Sequence, residues 1–214
     1  MGGEGVSAVG LRERKKEKTR VALLDAALDL FLEQGYESTT IEQIAGVVEV
    51  SPRTFFRYFT GKDHLVLWFH DHGEEILLET FAGRPEDEPP FTSLMHGLRA
   101  MLDDMHGSTP EDTERFLKLR KLFDKYPHLV GQSVARGSVT ELRLAEAVAA
   151  RRGVAPEDDQ LTYLIVAFAM STMRIGFECP RRETTMPEIK QRISDAVALA
   201  EASLRPGWDT RPAS

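Results

Sequence analysis

The stretch TTIEQIAGVVEVSPRTFFRYF, Thr39 to Phe59, decides the fold. Thr40-Ile-Glu-Gln43 has the spacing of a capping box, in which a threonine hydroxyl and a glutamine amide satisfy the first free N–H groups of a helix. Ile41, Ile44, Ala45 and Val48 then fall at i, i+3, i+4 and i+7, one apolar stripe of a short helix. Glu49-Val50 makes a turn. Ser51-Pro52 opens a second helix, with a capping hydroxyl before a proline whose missing N–H costs nothing at that position. This helix is predicted to run to Phe59. Phe55, Phe56 and Phe59 serve as its apolar anchors, while Arg53, Thr54, Arg57 and Tyr58 form its polar surface. Two short helices packed on a longer one make a helix-turn-helix, whose second helix enters the DNA major groove.

Working outward, Leu24, Ala27, Leu28 and Phe31 give the longer helix before the pair. Gly35 follows its end, where a left-handed residue is wanted. Downstream, Leu65, Trp68, Phe69, His72 and Ile76 continue the helical period. Breaks at Gly83–Pro90, Gly107–Pro110, Tyr126-Pro127, Gly153–Pro156 and Cys179–Met186 divide the remainder into helices, and no stretch alternates with period two. The expectation is an all-α protein of about nine helices. Gly2–Gly10 reads as a disordered leader and Arg205–Ser214 as a frayed tail.

With 214 residues the chain is long enough for a sizeable core, and its net charge of −7 excludes a general polyanion binder. Basic density is local. Residues 11–20 carry six basic and two acidic side chains, whereas beyond residue 72 there are 18 basic and 23 acidic residues. We therefore expect a helix-turn-helix domain over residues 11–62 and a larger helical domain over 63–205. One cysteine, Cys179, permits no internal disulfide, and neither a signal peptide nor a membrane span of ~20 apolar residues is discernible. The reading is a cytoplasmic protein with no membrane partner, no metal and no cofactor.

Residues 20–69 resemble the N-terminal domain of the TetR family of transcriptional regulators. The resemblance is carried by Ala27, Leu30, Phe31, Gly35 and Tyr36, then Thr39, Thr40, Ile44 and Ala45. Val50, Ser51, Thr54, Tyr58, Phe59, Lys62 and Leu65 complete it. It implies DNA contacts from Arg53, Thr54 and Arg57 on the recognition helix, and phosphate contacts from Thr40, Tyr58 and Lys62. Lys15 and Lys16, with Arg14 and Lys18, fit a salt-dependent phosphate patch. Two departures stand out. Glu49 replaces the family's usual glycine at a position of positive φ, where strain of roughly 1 kcal/mol or more is expected. Phe56 replaces a common tyrosine, so one hydroxyl is missing.

For the remainder the resemblance implies dimerisation and sensing of a small molecule. Gln160–Gly176 is apolar nearly all round, so both faces must be buried, one of them against a partner subunit. Tyr163, Val166 and Met170 on this helix, and Ile189, Ile193, Val197 and Ala200 on the next, are the expected homodimer surface. Trp68, His72, Leu98, Met101, Met105, Phe116, Leu119, Arg120, Phe123, Phe168 and Met173 are candidate effector contacts. Methionine and phenylalanine suit an adaptable apolar cavity, and the stretch from Phe116 to Gly153 resembles a branch of the family from actinobacterial-type regulators, which implies an acyl-CoA-like or lipid-derived effector. The implied protein is a repressor that binds a pseudo-palindromic double-stranded operator as a homodimer and is released by its effector. Two other readings stay open here: a homodimeric helical adaptor or small-molecule-binding protein without DNA binding, and, more remotely, an enzyme. No HExxH, GxSxG, P-loop or GxGxxG motif supports catalysis.

Overall fold

The computed structural model describes residues 4–105, 109–178 and 185–203, and every regular element among them is helical. In chain order they are α1 (Glu4–Glu33), α2 (Ile41–Val47), α3 (Pro52–Phe56), α4 (Lys62–Val66) and α5 (Trp68–Ala82). Then follow α6 (Pro90–Met105), α7 (Pro110–Lys125), α8 (Pro127–Arg152), α9 (Gln160–Glu178) and α10 (Met186–Ser203), with one 3₁₀ turn at Pro156–Asp158. The all-α class is as expected. The tenth helix arises because the chain breaks at Leu67, which separates α4 from α5. Another difference lies at the front: α1 begins at Glu4, inside the stretch read as a leader. Extending an existing helix needs no new nucleus, so scattered glycines are tolerated there. The tail after Ser203 and Cys179 lie outside the described residues.

The chain forms two compact units. One comprises residues 1–68 with 114–130, the other 69–113 with 131–214. In the first, α2 packs on α1 and on α3. Its core is Leu24, Ala27, Leu28, Phe31, Ile44, Ala45, Phe55, Phe59 and Leu65, each no more than 1% exposed. Each large side chain so buried contributes about 1.5–3 kcal/mol. Charged contacts hold α7 against α1: Arg115 Nε donates to Asp25 Oδ1 at 2.6 Å, and Lys118 Nζ lies 2.6 Å from Asp29 Oδ1. Bonds to Asp29 and Glu114 raise the Lys118 pKa.

The end of α2 is a Schellman motif. Val50 N–H donates to Ala45 O and Glu49 N–H to Gly46 O, which places Glu49 at the left-handed position with φ 56°. The end of α8 repeats this bonding around a glycine, Gly153, at φ 67°. Glu49 thus adopts a conformation that disfavours a Cβ by about 1–2 kcal/mol. Glycine would relieve that strain but free the unfolded chain by about 0.4–1 kcal/mol. Glu49→Gly is therefore expected to stabilise the protein by about 0.5–1 kcal/mol, read from the denaturation midpoint at unchanged slope.

In the second unit α9 packs along α10, and both meet α6. Helices α5 and α6 approach closely at Gly97, where an added Cβ would stand 2.4 Å from Leu77 Cδ1 and 3.1 Å from Leu77 O. The turn between them is organised by Glu88. Its carboxylate accepts from Arg84 Nε and Nη2 and, at 2.7 Å, from Ser93 Oγ. Hydrogen bonding from Arg84, aided by Ser93, holds its pKa down at about 2. A carboxylate depressed in the folded state lends stability above its unfolded pKa near 4.5, and loses it as pH falls toward 2. Glu88→Gln should therefore flatten the acid limb of a stability–pH profile between about pH 4.5 and 2, while an unchanged limb would show that this pairing contributes nothing.

Candidate nucleic-acid interface

The helix-turn-helix is assembled by the local signals that its sequence carries. Gln43 N–H donates to Thr40 Oγ1 at 3.2 Å and Thr40 N–H to Gln43 Oε1 at 2.8 Å, so the capping box is closed. Thr54 N–H donates to Ser51 Oγ at 3.2 Å, with Pro52 at the first helical position. Helix α3 stops at Phe56, and the bonds Tyr58 N–H to Phe55 O and Phe59 N–H to Phe55 O carry the turn onward to the buried Phe59.

The proposed DNA-contacting side chains sit as follows. Thr40, Arg53 and Arg57 are exposed, and Thr54 and Tyr58 half-buried. Arg57 donates to Tyr58 Oη at 3.1 Å and lies 5.1 Å from the centre of its ring, so these two form a pair. Arg53 makes no such bond among the described residues. Lys15 and Lys16 are exposed on α1, ahead of the buried Leu23 and Leu24.

Lys62 is placed differently from a lone phosphate-seeking amine. Its Nζ donates to Tyr36 O at 2.7 Å and Thr39 O at 2.9 Å, and lies 4.6 Å from the Tyr36 ring centre. It thereby ties α4 to the turn between α1 and α2. One N–H remains for an outside acceptor. Two more groups secure the same turn: Tyr36 N–H donates to Tyr126 Oη at 3.0 Å, and the Tyr36 hydroxyl donates to Asp63. Burial, then the Asp63 bond, pushes the Tyr36 phenol far above its ordinary pKa. Gly35 has φ 99°, and a Cβ there would stand 3.2 Å from Tyr126 Oη. The helix end marks Gly35 and the family resemblance marks Tyr36, but the arrival of Tyr126 ninety positions later leaves no local signal.

Phe56 corrects the sequence reading. Expected among the apolar anchors, it is 56% exposed, while Phe55 and Phe59 are 0% and 1% exposed. Only Phe55 and Phe59 share the buried i, i+4 face; Phe56 is turned about 100° away.

The effector candidates do not form one cluster by unit. Trp68, Phe116, Leu119, Arg120 and Phe123 belong to the first unit, and His72, Leu98, Met101, Phe168 and Met173 to the second. Phe116, Leu119, Leu98 and Met101 are buried. His72 Nε2 lies 3.0 Å from Asp104 Oδ2, and Phe168 is 40% exposed on α9. The side chain of Met105 lies outside the described residues.

The expected dimer residues also divide. Val166, Met170, Ile189, Ile193 and Val197 are between 0% and 7% exposed within the single chain, so they have almost no surface to offer a partner. They are core, filling the packing of α9 on α10 and α6. Ala200 is half-buried. The outward face of α9 is instead Tyr163, Leu164, Ala167, Phe168 and Ile175, of which Tyr163 alone was anticipated as an interface residue. A helix apolar on both sides cannot reveal by period which side faces out.

A polar cluster between α5 and α8 escaped the sequence reading altogether. Glu74, 5% exposed, accepts from Thr140 Oγ1 at 2.6 Å and Arg143 at 2.5 Å, and Asp71 accepts from Arg136 at 2.6 Å. Burial raises the Glu74 pKa, but these bonds outweigh it and leave it lowered. His70, Asp71 and Glu74 have ligand atoms within 4.8 Å of one another. A dication there would have to displace two guanidinium groups, so the cluster reads as ion pairing between helices. Burial, above all, lowers the His70 pKa.

Comparison with known proteins agrees with this geometry. Residues 23–67 match the family of bacterial regulatory proteins, tetR family. The chain is 39% identical over 168 residues to the HTH-type transcriptional regulator TcmR of Streptomyces glaucescens, covering 78% of this chain and 74% of that one. It is 31% identical over 98 residues, 46% of each chain, to the HTH-type transcriptional regulator RutR of Escherichia coli. A TetR-like transcriptional regulator from Rhodococcus sp. RHA1 overlays with a TM-score of 0.43 at 18% identity, covering 88% of this chain and 97% of that one. The chain belongs to the TetR family and is a DNA-binding transcriptional regulator of the helix-turn-helix type. These relatives are named as regulators, and no enzyme family is indicated. Among the described residues no helix is long and apolar enough to cross a membrane.

Proposed function

We propose that the protein is a cytoplasmic, homodimeric repressor that binds a pseudo-palindromic operator and releases it on binding a small apolar or acyl-CoA-like effector. The observation that carries this reading is the outward face of α3, where Arg53 and the Arg57–Tyr58 pair stand exposed or half-exposed beside a helix that its caps hold rigidly. In this reading residues 11–62 read DNA and residues 63–205 dimerise and sense. Arg53 addresses base edges, as a guanidinium meets guanine O6 and N7, while Arg57, Tyr58, Thr40, Lys62 and the Lys15–Lys16 patch meet phosphates. Thr54 lies behind them on α3.

Dimerisation supplies the second reader. The apolar outward face of α9, with Leu164 46% and Ile175 55% exposed, is the surface we assign to a second copy, together with Leu199 of α10, 69% exposed. Two-fold pairing would set the recognition helices about one DNA turn apart. Effector release follows if the effector prefers the spacing that does not fit the operator, and linkage then requires operator to weaken effector binding by the same factor.

Selection of bound sequences from a random duplex library, at stated salt, tests the reading. A palindrome with half-sites about a turn apart supports it. A folded dimer that enriches nothing at low salt would overturn it in favour of a DNA-free adaptor.

A further inference from the structure

Arg53, Phe56 and Arg57 stand exposed at i, i+3 and i+4, one continuous face of α3 and its C-cap. Among the described residues of its unit, Val47, Phe56 and Val130 leave a large apolar side chain exposed, and Phe56 is the one aromatic. Its ring stands edge-on to the buried Phe55, centroids 5.6 Å apart at 86°, which fixes its place on the face. An isolated exposed apolar residue is ordinary on a protein surface. This one sits between two arginines on the element that meets DNA, and it has no polar atom for a phosphate or a base edge. In the major groove the one apolar group on offer is the C5-methyl of thymine.

We propose that Phe56 is a specificity-determining residue that packs on a thymine methyl group in each operator half-site, beside the base contact of Arg53. The proposal rests on the reading above that α3 enters the major groove. Contact with a deoxyribose would leave the ring equally covered but would read no sequence.

The test uses the full-length protein and the duplex recovered by selection. Each thymine of the half-site is replaced singly by deoxyuridine, which removes the methyl and leaves every hydrogen-bonding group in place. Burial of one methyl-sized group predicts affinity about four-fold weaker at one position per half-site, and about fifteen-fold weaker with both half-sites altered. The Phe56→Ala protein should bind thymine and deoxyuridine duplexes equally at that position, with its unfolding midpoint little changed because the side chain is exposed. Indifference of the wild-type protein to every deoxyuridine would overturn the proposal without any variant being needed. So would a deoxyuridine loss that persists in Phe56→Ala. If no duplex is enriched at all, the DNA-reading function fails and this inference with it, an outcome distinct from an enriched duplex that ignores the methyl.

Discussion

Leu164→Glu is expected to convert the proposed dimer into folded monomers. Leu164 is 46% exposed in the single chain, so a charge there should leave the helical content intact. In a two-fold interface each substitution acts twice. Covering the exposed half of a leucine is worth about 0.7–1.5 kcal/mol and burying an unpaired carboxylate costs several more, so the two copies together weaken association by at least about 3 kcal/mol, or more than roughly 10²-fold in the dimer dissociation constant. Light scattering reads the monomer directly. Operator affinity should fall with it, because one head then holds one half-site. Val197→Glu provides the contrast. Val197 is 1% exposed, and a carboxylate there should unfold the chain by several kcal/mol instead of separating subunits. A Leu164→Glu protein that remains dimeric would move the interface to another surface, with the exposed Val134 and Leu142 of α8 the next to substitute.

Arg53→Ala should abolish discrimination at one base pair of each half-site. A bidentate arginine–guanine contact is worth about 1–3 kcal/mol, hence about 2–6 kcal/mol over two half-sites, while binding to scrambled duplex should change little. Arg57→Ala should behave differently. Its guanidinium is paired with the Tyr58 hydroxyl, and its loss should weaken all sequences alike and reduce the salt dependence. Competition binding with operator and scrambled duplexes at two salt concentrations separates the cases. Equal loss on both duplexes for Arg53→Ala would remove its base-reading role.

The head of this protein was legible because its determinants are short-range. A capping box spans four residues, a Ser-Pro helix start two, and an apolar stripe repeats every turn, so Thr40, Gln43, Ser51 and Pro52 declare the helix-turn-helix unaided. The strain at Glu49 was legible through the family resemblance, which puts a glycine at that turn position, and Glu49 has φ 56°. Where local pattern was ambiguous, the reading slipped by about 100° around the helix. The three phenylalanines Phe55, Phe56 and Phe59 looked alike, and only tertiary packing separates buried Phe55 and Phe59 from exposed Phe56.

What the sequence determined alone, then, is the helical class, the DNA-reading motif and the set of side chains eligible to touch DNA, all encoded by neighbours within a turn or two. Tertiary structure decided which eligible groups are committed elsewhere. Lys62 is drawn to the Tyr36 and Thr39 carbonyls, and Tyr126 closes the same turn from far along the chain. It also decided which face of α9 stays exposed. Burial there depends on where α10 and α6 arrive, and a helix apolar on every side carries no record of that in its own residues.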